Sequence, residues 1–196
     1  MMTSLLFATG NKGKLREASE ILGPDYELVT PAQFGITEEI PETGETLEEN
    51  SVQKAEYIYA RTGADCFADD TGLEVDCLDG APGVYTARYA GEHCSFDDNM
   101  EKLLAEMAAL GPDVPRTARF RSVITLILNG EKRFFEGCVE GRIALLRSGV
   151  KGFGYDPVFI PEGFGGKTFA EISEEEKNAV SHRGKALRAM AAYLAK

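Results

Sequence analysis

The sequence predicts an α/β fold with a mixed β-sheet and flanking helices. One observation behind this prediction is that strand-like and helix-like segments alternate along the chain. The other is a long hairpin in which apolar and polar side chains alternate over residues 117–128, Asn129-Gly130 tolerates the positive φ of a tight turn, and residues 133–145 return as the partner strand. Because a hairpin pairs its strands antiparallel, we expect a mixed sheet rather than a purely parallel one.

The first 70 residues predict three strands and two helices. The strands lie at residues 5–8, 26–30 and 66–70. The first helix ends near residue 22, because Gly23-Pro24 cannot continue it. An acidic loop over residues 36–45 precedes the second helix, which Thr46 and Glu49 open as a capping box and which runs to about residue 62.

Outside the hairpin, the rest of the chain predicts two further helical segments and one short strand. Residues 80–83 form a loop, and residues 95–109 form a helix with apolar side chains at helical spacing. A strand is predicted at residues 156–160. Ser173 and Glu176 form a second capping box, from which helix continues towards residue 194.

The charge of the chain excludes several classes of protein. Its 196 residues include 21 Lys and Arg against 32 Asp and Glu, which gives a net charge of −11. A protein that coats nucleic acid, or a polybasic protein of the membrane surface, needs the opposite sign. The hydrophobic content of 43% argues against disorder, and the length suits one domain or one domain with two lobes.

We expect neither a membrane span nor a signal peptide. The longest strongly apolar run covers residues 123–128, well short of the roughly 20 residues that a span needs. The first apolar stretch has no basic region before it. The four cysteines show no C-x-x-C spacing, which favours reduced thiols in or near the core. We therefore expect a cytoplasmic protein.

The loop after the first strand is a candidate phosphate-binding site. It consists of Thr9-Gly10-Asn11-Lys12-Gly13-Lys14. Backbone N–H groups at a helix N-terminus attract anions, glycines allow close approach, and the two lysines add positive charge. The spacing is too short for a P-loop, which disfavours a P-loop kinase or GTPase. A plain strand–helix turn is the alternative.

Adjacent acids at the end of the third predicted strand form a candidate magnesium site. The segment is Asp69-Asp70-Thr71-Gly72, and Glu42 in the acidic loop is a further candidate. Magnesium is usually held by one or two carboxylates together with waters and substrate phosphates. Ligands of α/β sheets commonly bind at the carboxyl ends of strands. The alternative is a solvated turn, with Glu42 as an ordinary loop acid.

A glycine-flanked aromatic ring is a candidate for stacking on a nucleobase. It lies in the segment Lys151-Gly152-Phe153-Gly154-Tyr155-Asp156-Pro157. Its small neighbours leave the Phe153 ring poorly covered, and stacking on a base is worth roughly 1–3 kcal/mol. The residues alone favour the alternative, a glycine-rich turn whose Phe153 packs inward.

Lys177, His182 and Arg183 form the last candidate group, because their donors suit a keto oxygen or a phosphate. On one unbroken helix, Lys177 and His182 would point about 140° apart. We therefore predict a break near Ser181, which could serve as a fresh N-cap. A solvated helix surface is the alternative, as it is for Lys54 on the second helix.

Together these motifs resemble the inosine/xanthosine triphosphate pyrophosphatase family. The matching stretches are residues 7–14, 68–73, 80–85, 87–89, 152–157, 175–177 and 181–184. The resemblance implies an elongated mixed α/β fold, in which residues 1–196 form a single domain with two lobes around a central nucleotide cleft. It also implies a homodimer.

The resemblance implies a catalytic centre of Asp70, Asp69 and Lys54. Glu42 and Asp70 would hold Mg²⁺, Asp70 would also accept a proton, and Asp69 would support the metal site. The triphosphate would bind along the loop formed by Thr9, Gly10, Asn11, Lys12, Gly13 and Lys14. Thr71 stands where many members have serine, and its hydroxyl is kept.

The base would be bound by the second half of the chain. The resemblance implies that Phe153 stacks on it, within a strip that also contains Gly154, Tyr155 and Asp156. Lys177, His182 and Arg183 would complete the base pocket.

The implied reaction is hydrolysis of a deaminated purine nucleoside triphosphate (ITP, dITP or XTP) to the monophosphate plus pyrophosphate, which clears it from the nucleotide pool. Water would attack the α-phosphorus in line, with Mg²⁺ lowering the pKa of the water and Asp70 taking its proton. Donors aimed at the 6-keto oxygen would discriminate against adenine but not against guanine.

Two alternatives stay open. A related pyrophosphatase for modified pyrimidine triphosphates is disfavoured by Phe153 and by the His182-Arg183 pair. A non-catalytic nucleotide-binding regulator would not need Glu42, Asp69 and Asp70 together.

Overall fold

The computed structural model describes residues 3–196 and has a mixed α/β fold, as predicted. Within these residues, the strands are β1 (Thr3–Phe7), β2 (Tyr26–Val29), β3 (Cys66–Val75), β4 (Pro82–Gly83), β5 (Thr117–Leu128), β6 (Glu131–Ile143) and β7 (Phe159–Pro161). The helices are α1 (Lys12–Leu22), α2 (Leu47–Thr62), α3 (Phe96–Ala109), α4 (Glu174–Val180) and α5 (His182–Leu194). Short 3-10 turns follow α1, β2, β3 and β4.

The strands pair in the order β2-β1-β3-β5-β6-β7, with β4 paired to β3 off this path. The chain divides into two compact units. Unit 1 comprises the described part of Met1–Asp70 together with Ser122–Gly137 and His182–Lys196, and unit 2 comprises Thr71–Arg121 and Cys138–Ser181. Strands β3, β5 and β6 are each divided, so that one part of the strand belongs to unit 1 and the other part to unit 2.

The first three strands of unit 1 pair in parallel and are covered on both faces. Strand β1 pairs in parallel with β2 and with β3. Alternate residues of β1 enter different apolar clusters, because successive side chains of a strand point to opposite faces. Leu5 and Phe7 pack with residues of α1 and α5, whereas Leu6 packs with Ala55 and Ile58 of α2. The sheet of unit 1 is therefore buried between two helical layers.

Unit 2 has one apolar core and antiparallel pairing. Strand β4 pairs antiparallel with the second part of β3, and β7 with the end of β6. Helix α3 contributes Met100, Leu103 and Met107 to the core. The core also contains a cluster of three aromatic rings. The centroid of the Phe159 ring lies 4.7 Å from that of Phe120 and 5.2 Å from that of Phe169.

Most predicted elements are confirmed, including the turn at Asn129-Gly130, where φ is +51° and +81°. The loop predicted at residues 80–83 includes the short strand β4. The strand predicted at 156–160 begins only at Phe159, because a turn precedes it: the N–H of Asp156 donates to the carbonyl of Phe153 and that of Val158 to the carbonyl of Tyr155. Throughout residues 3–196, every helix is too short or too polar to traverse a lipid bilayer.

Candidate active site

The loop between β1 and α1 presents the N-terminus of a helix. Asn11 caps α1, because its Oδ1 accepts hydrogen bonds from the N–H groups of Gly13 (2.9 Å) and Lys14 (3.1 Å). The Thr9 hydroxyl oxygen in turn accepts from the N–H of Asn11 at 3.1 Å. The first turn of α1 contains no acidic residue, so no carboxylate of that turn offsets the positive end of the helix dipole. The loop has the features of an anion site.

Asp69 and Asp70 lie in the middle of β3, and both are buried. The prediction that they end a strand is wrong for β3 itself, which continues to Val75. The two acids do follow the end of the parallel pairing between β1 and β3, because the last pair in that register is Phe7 with Phe67. Beyond that pair, β1 gives way to the loop that begins near Thr9. The two acids therefore lie where the parallel part of the sheet opens.

The Asp69 carboxylate lies in a buried network of charges on the α1 and α5 side of β3. Its Oδ1 accepts from Lys14 Nζ at 3.0 Å, and its Oδ2 accepts from Arg183 Nε at 3.1 Å. Arg183 also forms an ion pair with Glu17 of α1. Burial alone would raise the pKa of Asp69, but the positive charges of Lys14 and Arg183 outweigh it and hold that pKa below its ordinary range. Asp69 therefore stays ionised.

The Asp70 carboxylate faces α2, on the opposite side of β3. Lys54 Nζ donates to Asp70 Oδ1 at 2.9 Å and to Glu42 Oε1 at 2.8 Å. Burial raises the pKa of Asp70 and outweighs the lowering effect of Lys54. Burial would lower the pKa of Lys54, but the charges of Asp70 and Glu42 prevail and raise it. The ammonium therefore stays charged, while Asp70 takes up a proton more readily than an ordinary aspartate.

Glu42 and Asp70 fit a magnesium site. Their carboxylate oxygens converge on one positive charge, the Lys54 ammonium, and carboxylate oxygens are the ligands that Mg²⁺ prefers. Among residues 3–196, no group of three or more His, Cys, Asp or Glu side chains could hold a metal ion. Mg²⁺ bound here would therefore complete its coordination with waters and substrate phosphates, as is usual for this ion.

The Phe153 loop of unit 2 is held by Asp156. The Asp156 Oδ2 accepts from the N–H of Phe153 at 2.9 Å and from Lys177 Nζ at 2.6 Å. Lys177 Nζ also lies 4.9 Å from the centroid of the Phe153 ring. A Cβ at Gly152 would come within 2.0 Å of Asp156 Oδ2, so this glycine is required for the close approach.

The Phe153 side chain is partly buried, so it is neither fully packed inward, as the residues alone favour, nor fully exposed. The centroid of the Phe96 ring lies 6.2 Å from that of the Phe153 ring. Tyr155 is buried in the core of unit 2 and donates its hydroxyl to the carbonyl of Thr86 at 2.8 Å. Tyr155 therefore anchors the Phe153 loop to the core of unit 2.

The break at Ser181 is confirmed, and the solvated helix surface is wrong. Ser181 has extended backbone angles (φ −63°, ψ 155°) between α4 and α5. Lys177, His182 and Arg183 are all buried. Lys177 pairs with Asp156 in unit 2, whereas Arg183 pairs with Asp69 in unit 1.

Sequence reasoning missed Glu17. It is 4% exposed although it lies on α1, and it forms an ion pair with the buried Arg183. Its spacing of three residues from Lys14 was the available signal, because residues i and i+3 share a helix face. A single acid on an amphipathic helix is usually solvated, so this signal alone does not identify a buried one.

Comparisons with known proteins find relatives that match this chain over nearly its full length. A sequence model of the Ham1 family matches residues 5–193. The chain is 48% identical to the dITP/XTP pyrophosphatase of Flavobacterium johnsoniae over 94% of each chain. It is 45% identical to the dITP/XTP pyrophosphatase of Bacillus subtilis, over 99% of this chain and 98% of that protein.

Solved structures give the same result. A HAM1 protein from Coxiella burnetii superposes with a TM-score of 0.89 and 36% identity, over 99% of both chains. A nucleoside-triphosphatase, described as a dITP/XTP pyrophosphatase, from Mycobacterium abscessus gives 0.75 and 43% identity, over 98% of this chain and 99% of that one. The match runs nearly end to end in sequence and in structure, and the chain therefore belongs to the Ham1 family.

Proposed function

We propose that this protein hydrolyses deaminated purine nucleoside triphosphates (ITP, dITP and XTP) to the monophosphate plus pyrophosphate, and so clears them from the nucleotide pool. The observation that carries the proposal is the pair of buried aspartates in β3, one facing Lys14 and Arg183 and the other facing Lys54 and Glu42. The names of the relatives, dITP/XTP pyrophosphatases at 45–48% identity, support the same activity.

The triphosphate is proposed to bind at the N-terminus of α1. The residues proposed to contact it are those of the loop Thr9, Gly10, Asn11, Lys12, Gly13 and Lys14, with Thr71 and Lys54. Backbone N–H groups at a helix N-terminus favour anions, and lysines stabilise negative charge on a leaving pyrophosphate. Asn11 contributes by capping the helix: its Oδ1 accepts the N–H groups of Gly13 and Lys14, which fixes the end of α1 and its dipole beside the proposed triphosphate.

The reaction is proposed to be in-line attack of water on the α-phosphorus. The bond from the water oxygen to phosphorus forms as the bond from phosphorus to the bridging oxygen of the pyrophosphate breaks. Asp70 is proposed to accept the proton of the water, a role supported by its position beside Lys54 and Glu42 where the parallel part of the sheet opens. Glu42 and Asp70 would hold Mg²⁺, which would supply neutralisation of phosphate charge.

The base is proposed to stack on Phe153, with its 6-keto oxygen facing donors of Lys177, His182 and Arg183. Adenine carries an amino group at that position and would leave buried donors unpaired, at a cost of about 1–3 kcal/mol for each. The half-buried ring and the Lys177 ammonium beside it support this assignment. Gly154, Tyr155 and Asp156 are proposed to shape the strip that carries the ring.

The test measures hydrolysis of dITP, XTP, dGTP, dATP and dUTP with Mg²⁺, with pyrophosphate and orthophosphate detected separately. We expect pyrophosphate from dITP and XTP and little turnover of dATP. Preferred turnover of dUTP would favour the pyrimidine pyrophosphatase, and tight binding without turnover would favour the nucleotide-binding regulator. Release of orthophosphate alone would contradict the proposal.

Two variants test the assignment of Asp70. Asp70→Asn removes the proton acceptor and should lower turnover of dITP by about 10²–10⁴-fold, the usual contribution of such a group. Asp113→Asn alters an exposed aspartate and should leave turnover unchanged. Full activity of Asp70→Asn, with its fold intact by circular dichroism, would refute the role of Asp70.

Cellular location and assembly complete the proposal. We propose that the protein works in the cytoplasm, where it would meet the nucleotide pool, as a homodimer of single-domain chains. Light scattering after size-exclusion chromatography measures the assembly, and a mass of one chain would contradict the dimer.

A further inference from the structure

We propose that helix α2 positions Glu42 for metal binding by clamping the loop that carries it, with Gln53 and Asn50 as positioning residues. The inference rests on the proposed function of Glu42. It assigns a role to side chains that do not themselves touch substrate or metal.

Four consecutive backbone N–H groups after Glu42 donate to side chains of α2. The N–H of Thr43 donates to Gln53 Oε1 at 2.8 Å, and that of Gly44 donates to Asn50 Oδ1 at 2.7 Å. The N–H groups of residues 45 and 46 both donate to Glu49 Oε2, at 2.7 and 3.2 Å. Gln53 Nε2 also donates to the Thr43 hydroxyl at 3.0 Å, so Gln53 holds this residue twice.

The same helix also holds the side chain of Glu42 directly. Lys54 lies next to Gln53 and four residues after Asn50, so Asn50 and Lys54 share one face of α2. Its ammonium pairs with Glu42 and with Asp70 of β3. Side chains of α2 therefore hold both the loop backbone and the Glu42 carboxylate.

The backbone at Gly44 lies so close to α2 that a side chain at this position would clash with the helix. A Cβ at Gly44 would lie 2.6 Å from Glu49 Cβ, 2.9 Å from Asn50 Oδ1 and 3.0 Å from the backbone nitrogen of Asn50. Asn50 is fully buried beneath this contact. Any side chain at position 44 must push the loop away from the helix, and Glu42 with it.

This arrangement matters for Mg²⁺, because that ion demands near-ideal geometry from its few protein ligands. A ligand on an irregular loop meets that demand only when other bonds fix the loop. Residues that orient metal ligands typically cost 10–100-fold in metal affinity or activity when they are changed. We infer that the clamp sets the metal affinity of Glu42 and leaves the chemistry of Asp70 intact.

The experiment compares Gln53→Met, which keeps the length and removes both hydrogen bonds, with Gln53→Glu, which keeps an acceptor for the N–H of Thr43. Gln33→Met is the matched control, because Gln33 Oε1 also accepts a loop N–H, that of Thr30, at 2.7 Å. Three quantities are measured: amide hydrogen exchange of residues 43–46 without metal, Mn²⁺ binding by electron paramagnetic resonance, and the Mg²⁺ concentration for half-maximal turnover of dITP.

For Gln53→Met we expect faster exchange at residues 43–46, about 10-fold weaker Mn²⁺ binding and about 10-fold more Mg²⁺ at half-maximal turnover. Turnover at saturating Mg²⁺ should stay within about twofold of the unmodified protein, because the chemical groups are intact. Gln53→Glu should restore the slow exchange. Gly44→Ala should reproduce the defects of Gln53→Met by steric displacement.

The proposal is overturned if Gln53→Met leaves exchange or metal affinity unchanged, or if Gln33→Met weakens metal binding to the same extent. A loss of turnover that excess Mg²⁺ does not restore would also overturn it. If the unmodified protein fails to hydrolyse dITP, the proposed function fails, but the exchange and Mn²⁺ measurements still test the clamp by themselves.

Discussion

Single residues decide the electrostatics of the candidate site. Asp69 and Asp70 are neighbours in sequence, yet the two-residue period of β3 turns them to opposite faces. Asp69 pairs with Lys14 and Arg183, and its pKa falls; Asp70 is buried beside Lys54 and Glu42, and burial raises its pKa. Two identical side chains thus acquire different chemistry from the helices that face them.

Glu17 should contribute to stability far more than its position on α1 suggests. Glu17→Gln removes a buried partner of Arg183, and breaking a buried ion pair typically costs about 3–5 kcal/mol. Because Arg183 keeps Asp69, we expect about 3 kcal/mol. Glu20→Gln on the same helix disrupts an exposed pair with Arg16 and should cost less than about 1 kcal/mol. Urea denaturation measures both free energies of unfolding, and equal losses would contradict the prediction.

Cys66 should be the least reactive thiol. It is fully buried, and its Sγ donates to the carbonyl of Ala55 at 3.4 Å. Burial, with a further contribution from Asp65, raises its pKa to about 12, so at pH 8 nearly all of the group is the unreactive thiol. Alkylation with iodoacetamide followed by mass spectrometry should label this cysteine only after unfolding. Rapid labelling of the native protein would contradict the prediction.

At the scale of elements, helix packing depends on glycines in the strands. Gly137 lies in β6 under the start of α5, where a Cβ would come within 1.9 Å of the His182 carbonyl oxygen and 2.8 Å of the backbone nitrogen of Ala186. The helix therefore rests directly on the strand backbone. This contact helps to fix where α5 begins, and so where Arg183 meets Asp69.

Gly137→Ala should displace α5 and destabilise the protein. Overpacking typically costs about 1–3 kcal/mol, and we expect the upper end of that range because both contacts are with backbone. Gly10→Ala is the control for stability, since a Cβ at Gly10 would meet nothing within 4 Å. Thermal denaturation should show a lower Tm for Gly137→Ala alone. Unchanged Tm would show that α5 adapts to the added methyl group.

At the scale of the whole molecule, the net charge of −11 conceals a buried cluster in which cations and carboxylates are paired. Lys14 and Arg183 pair with the buried Asp69, and Lys54 pairs with the buried Asp70. Most other charged side chains lie at the surface. Cations held together at one place suit the phosphates of a free nucleotide, while the acidic exterior repels a polyanion.

The whole-molecule charge predicts no binding to long nucleic acids. Electrophoretic mobility of double-stranded DNA at low salt should be unchanged by the protein, even where a basic protein of the same size would bind. A retarded band that disappears with added salt would contradict this prediction. Binding of dITP by the same preparation serves as the positive control.

The amino-acid sequence by itself determined the elements and the family. Capping boxes at Thr46 and Ser173, the Asn129-Gly130 turn and the alternation over 117–128 are local signals, and local signals suffice to fix where helices and strands form. The order of the motifs also sufficed to predict membership of the family, which the comparisons confirm. The roles of individual site residues stay predictions.

Only the tertiary structure decided which charges meet. Lys54, Glu17 and Gln53 resemble ordinary surface residues of amphipathic helices, and nothing in their local sequence reveals a partner that is distant along the chain. Arg183 reaches an aspartate 114 positions away, and Lys54 reaches one in another element. The physical reason is that burial and charge pairing depend on long-range packing, whereas turns, caps and periodicity depend on neighbouring residues alone.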